Sequence, residues 1–131
     1  EEKYPELAKD MGIDPQSKQT IPWINSDKKF IKNMFKNVLT PMEKDGVDFW
    51  WLDWQQGIYD PKMKNLSNTW WINYAFFSNM EKNRDTRPML YHRWGGLGNH
   101  RYQVGFSGDA VVSWKSLDFQ PYFNSTASNV L

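Results

Sequence analysis

The chain has 131 residues, no cysteine and a formal charge of +1 from 16 basic and 15 acidic side chains. That excludes disulfides and thiolate chemistry, and it gives no electrostatic case for nucleic acid or an anionic membrane. No apolar run approaches the roughly 18 residues of a membrane span, and 17% aromatic content with 8 Trp points instead to a large core, to sugar-stacking surfaces, or to both.

Residues 1 to 25 are polar, with Pro5, Pro15 and Pro22 spaced through them. They predict a long connection with at most one helical turn near Pro5 to Met11. Phe30, Ile31, Met34, Phe35, Val38, Leu39 and Met42 then recur at helical spacing, with Ser26 or Asp27 as the N-cap and Gly46 past the end. Lys28, Lys29, Lys32 and Lys36 fall on its solvated side. Pro41 should kink or shorten the last turn.

Val47 to Leu52 is a short apolar run of the kind buried on both faces in a parallel sheet, and Asp53 follows it directly. After a loop holding Gly57, Asp60 and Pro61, a second helix is expected from about Asn68 to Lys82. The next strand runs from Pro88 to His92 and is closed by Arg93. A glycine-rich loop, Trp94 to Tyr102, leads to a strand at Gln103 to Phe106. A third helix is expected within Ser116 to Leu131, its start blurred by Pro121. This order predicts an α/β fold: a slice of a (β/α)8 barrel with about three parallel strands and flanking helices, one partial domain over residues 1 to 131. A complete barrel needs roughly 250 residues. Glu1 stands where an initiator Met would, so the chain is expected to be part of something longer, and its cellular compartment is open.

In such barrels the catalytic groups sit just past the carboxyl ends of the strands. Asp53 and Asp109 occupy two such positions, and two carboxylates are the minimum equipment for cleaving a glycosidic bond. Alternation puts Val47, Phe49, Trp51 and Asp53 on one face of the first strand. Trp51 would then wall the carboxylate, as a stacked sugar requires. Arg93 ends its strand at the same rim, where its guanidinium could hold sugar hydroxyls. Gly108 permits a tight turn before Asp109. His92 and His100 have no partner at metal spacing, which favours hydrogen-bonding or structural roles over metal ligation.

The segments GVDFWWLDW (Gly46 to Trp54) and RWGGLGNHRYQVGFSGD (Arg93 to Asp109) resemble, in order and spacing, the two linked signatures of glycoside hydrolase family 31. The resemblance covers nearly the whole chain. It implies a retaining, exo-acting α-glycosidase, α-glucosidase-like, acting on oligosaccharides or α-glycosides without cofactor or metal. It further implies Asp53 as nucleophile and Asp109 as acid/base, some 5–6 Å apart in an intact barrel. Trp51, Trp54, Arg93 and Phe106 would line the sugar subsite, with Arg101 and Tyr102 bracing the loop. Gln56 and Phe106 stand where many members have Glu and Trp, which bears on substrate choice. The alternative is a non-catalytic sugar-binding module or an inactive barrel. A three-strand slice would also expose a large apolar inner face and is expected to self-associate.

Overall fold

The computed structural model describes residues 2–53, 58–93 and 96–129. The chain forms two compact units, Glu1–Asp48 with Tyr59–Leu66, and Phe49–Ile58 with Ser67–Leu131.

In the first unit, α1 (Tyr4–Met11) is longer than the single turn expected. Pro5 lies in its first turn, where a missing N–H costs nothing. Gly12, at φ 83°, closes it by donating its amide to Ala8 O and Lys9 O. The second helical stretch starts at Asp27, whose carboxylate accepts the amides of Lys29 and Phe30 at 2.9 and 3.2 Å. It divides into α2 (Lys28–Met34), a π-helical turn (Phe35–Leu39) and α3 (Thr40–Lys44). Pro41 explains the division. It donates no hydrogen bond and its ring crowds the carbonyl four residues back, so the helix widens just before it and Thr40 N–H reaches Phe35 O instead. Phe30, Met34, Phe35 and Leu39 are buried, and the four lysines are exposed as expected.

Asp60, itself 1% exposed, ties the returning segment 59–66 to the start of α2. Its carboxylate accepts from Ser26 Oγ at 2.7 Å and from the amides of Ser26, Lys62 and Met63 at 2.9, 2.8 and 3.0 Å. Burial alone would raise this carboxyl, but the hydrogen bonds outweigh it and hold Asp60 below its ordinary value of 3.8.

The second unit holds a three-stranded parallel sheet in the order β1 (Trp50–Leu52), β2 (Leu90–His92), β3 (Val104–Gly105). Trp50, Trp51 and Leu52 pair with Leu90, Tyr91 and His92, while Tyr91 and His92 pair with Val104 and Gly105. Between β1 and β2 runs α4 (Asn68–Asn83), its N-terminus capped by Ser67 Oγ accepting the Trp70 amide. Its buried residues Asn68, Ile72, Phe76 and Met80 recur every four positions, with Asn73 beside them on the same stripe. They cover the side of the sheet that buries Leu52, Leu90 and His92, and Trp50 meets Phe76 edge-on at 6.1 Å.

Parallel strands joined through a helix are as expected, and they are not the antiparallel sandwich of a typical sugar-binding module. The strands are shorter than the sequence suggests. Val47 to Phe49 lie outside the ladder because β2 begins at Leu90, opposite Trp50. The last helix, α5 (Trp114–Ala127), starts two residues before the range expected for it. Ser113 caps it by accepting the Ser116 amide at 3.2 Å, and Pro121 lies inside it.

Candidate active site

Strand register builds the site. Trp51 and Tyr91 are directly opposite on adjacent parallel strands, so their rings stack with centroids 4.1 Å apart and planes 27° apart. Phe106 follows β3, and its amide donates to His92 O at 2.9 Å. That bond brings its ring edge-on to Trp51 at 5.1 Å and to Tyr91 at 5.8 Å. The three rings make a continuous aromatic floor in the offset and T-shaped arrangements that ring quadrupoles favour.

Two residues past Trp51 comes Asp53, and two past Tyr91 comes Arg93, so the alternation that sets the rings on one face sets these groups above them. Arg93 Nε donates to Asp53 Oδ1 at 2.5 Å. The guanidinium carbon lies 5.1 Å from the Phe106 ring centroid and 6.0 Å from that of Trp51, within cation–π range of both. The Asp53 side chain remains 47% exposed and that of Arg93 22%. An ion pair this open adds little stability. Its consequence is geometric: a carboxylate is held at a strand end, beside a fixed cation and a flat apolar floor.

Of the residues singled out in the sequence, the structure thus brings together Trp51, Asp53, Arg93 and Phe106. Asp109 takes part in none of these contacts. It is exposed on the segment after β3, preceded by Gly108 at φ 111°, the left-handed geometry expected of that glycine. Trp54 and Gln56 lie outside the described residues. Arg101 is exposed, whereas Tyr102 is buried against Phe77 at 5.3 Å and His92 at 5.8 Å. Burial pushes the Tyr102 phenol up, against the pull of Arg101. His92 is fully buried with both ring nitrogens facing carbonyl oxygens, and His100 is exposed.

Among the described residues, no group of three or more His, Asp or Glu could hold a metal ion, and no helix is long and apolar enough to cross a membrane. Tyr91, not among the candidate residues of the sequence, completes the floor. The available signal was its place two residues before Arg93, matching that of Trp51 before Asp53.

The family model described as Glycosyl hydrolases family 31 TIM-barrel domain matches residues 6–130. Among curated proteins, none matches the chain.

Proposed function

Because the chain belongs to glycoside hydrolase family 31 and its parallel strands are part of that family's TIM barrel, we propose that it is the core of a retaining, exo-acting α-glycosidase, α-glucosidase-like in its action on terminal α-linked sugars. The chain would be one segment of a longer catalytic barrel, residues 1 to 131 of which carry the nucleophile and the acid/base. The observation that carries this reading is the Asp53–Arg93 pair standing over the Trp51–Phe106 wall at the strand ends.

In this mechanism a terminal sugar lays its C–H face on the aromatic floor of Trp51, Tyr91 and Phe106. Arg93 donates to sugar hydroxyls while holding Asp53 in place. Asp109 gives its proton to the glycosidic oxygen as an Asp53 oxygen forms a bond to the anomeric carbon, and the aglycone leaves as an alcohol. Asp109, now a carboxylate, takes a proton from water. The resulting hydroxide oxygen bonds to the anomeric carbon, the Asp53 ester bond breaks, and the sugar leaves with net retention. The two carboxylates do the whole of the proton and glycosyl transfer, so the scheme needs neither metal nor cofactor.

The test is a screen of aryl α-glycosides with the full-length enzyme, following the anomer first released by proton NMR. Release of the α-anomer supports the reading. A β-anomer as the first product, or turnover of β-glycosides alone, would overturn it.

A further inference from the structure

Beneath Arg93 lies a buried polar arrangement that the proposed mechanism does not use. Asn73 sits on the covered face of α4 at 0% exposure, among Ile72, Phe76 and Met80. Its Nδ2 donates to the backbone oxygen of Arg93 at 3.2 Å, while its Oδ1 has no partner. The His92 ring approaches the same Arg93 oxygen through Nδ1 at 3.1 Å and reaches Tyr102 O through Nε2 at 3.2 Å. His92 O in turn accepts the Phe106 amide.

A buried amide with one end unpaired is an expensive way to fill a helix–sheet interface, where leucine would take similar space with no polar atom to satisfy. Packing therefore does not account for Asn73, whereas its single bond does. That bond fixes the peptide plane of the first residue beyond β2, and hence the direction in which the Arg93 side chain leaves the backbone. With its ring proton on Nδ1, His92 shares the anchoring. Arg93 must meet Asp53 and two rings at once, so a small rotation of its backbone moves the guanidinium away from all three.

We propose that Asn73 is a positioning residue for the active site, acting from α4 through the Arg93 carbonyl to aim the guanidinium at Asp53 and at the bound sugar. The inference rests on the reading of Arg93 as a subsite residue. Asn73 is held for function at a cost in stability, the reverse of an ordinary core position.

The experiment is a double-mutant cycle in the full-length enzyme, Asn73→Leu against Arg93→Met. The readouts are kcat/KM on an activated aryl α-glycoside and the thermal midpoint. Asn73→Leu is expected to lower kcat/KM about tenfold, as displacement of a binding group does, with a midpoint equal to or above that of the parent. On the Arg93→Met background the same change should cost nothing further, because the group it positions is gone. Full activity in Asn73→Leu would overturn the inference, and so would a loss that adds in full to that of Arg93→Met. Should the leucine be too bulky to fold, Asn73→Ala removes the same donor without added bulk and enters the same cycle. If Arg93→Met itself keeps the parent kcat/KM, the subsite reading fails and this inference falls with it. A loss from Arg93→Met that is fully additive with Asn73→Leu sinks the positioning role alone.

Discussion

On the side of the sheet packed by α4, Leu52, Leu90 and His92 are at most 7% exposed, while the residues alternating with them lie open. Phe49 is 47% exposed, Trp51 37% and Met89 39%. The same strands supply both faces, so the difference comes from what packs on each rather than from composition. The covered face, Trp50, Leu52, Leu90 and His92, is matched to a helix stripe. The open face is aromatic, supports itself through the Trp51–Tyr91 stack, and ends in charged groups. Packing belongs to the first face and the proposed chemistry to the second. Asn73 and His92 are the points at which the covered face reaches through to the other.

The largest effect expected is on the open face. Replacing Asp53 by Ala in the full-length enzyme should lower kcat by about 10⁴ or more, the scale seen when a covalent nucleophile is removed. Azide should restore turnover and deliver the opposite anomer. Asp109→Ala should cost about 10²–10⁴ with poor leaving groups and far less with activated aryl glycosides, which need no protonation. If both variants hydrolyse a disaccharide as well as the parent does, the division of labour between the faces is wrong.

The covered face should respond in stability instead. Leu90→Ala removes a fully buried side chain and is expected to cost about 2–5 kcal/mol in denaturant unfolding. Its open neighbour Met89→Ala should stay within about 0.5 kcal/mol at concentrations low enough to keep the chain monomeric. Equal losses at both positions would show that the open face is covered after all. Self-association is one way to cover it: the bare aromatic residues and the outer edges of the described three-stranded sheet should drive this chain to associate with itself. Sedimentation across a concentration series measures this, and a monomer at high concentration would contradict it.

The smallest effect concerns acid. The folded value of Asp60 lies below 3.8, so its stabilising contribution is complete above the ordinary carboxylate value and drains away as pH falls through the folded one. Asp60→Asn should therefore flatten the loss of unfolding free energy below about pH 4. An unchanged acid limb would mean that other carboxylates carry it.

Much of this was legible in the sequence, for identifiable reasons. Alternation along Val47 to Asp53 gave the two faces, and Asp27, one of two candidate caps, marked a helix start through short-range capping chemistry. Strand ends were not legible, because the length of β1 is set by where β2 begins to pair and not by its own residues. The two full turns of α1 and the cap at Ser113 were missed where polar composition masked local signals, a proline in the first turn before Gly12 and a serine three residues before Ser116. In the site, Trp51, Asp53, Arg93 and Phe106 followed from spacing and motif. Spacing put Tyr91 on the right face without revealing the ring stack, which depends on cross-strand register, and the Asn73 bond depends on the rotation of α4 against the sheet.

A nucleophilic Asp53 must become covalently attached to the sugar. Incubating the full-length enzyme with a slow-turnover fluorinated glycosyl fluoride, then digesting it and sequencing the labelled peptide by mass spectrometry, tests this directly. One glycosyl group per enzyme is expected, on the Asp53 carboxylate. A glycosyl group on Asp109 or another carboxylate, with Asp53 unmodified, would contradict it.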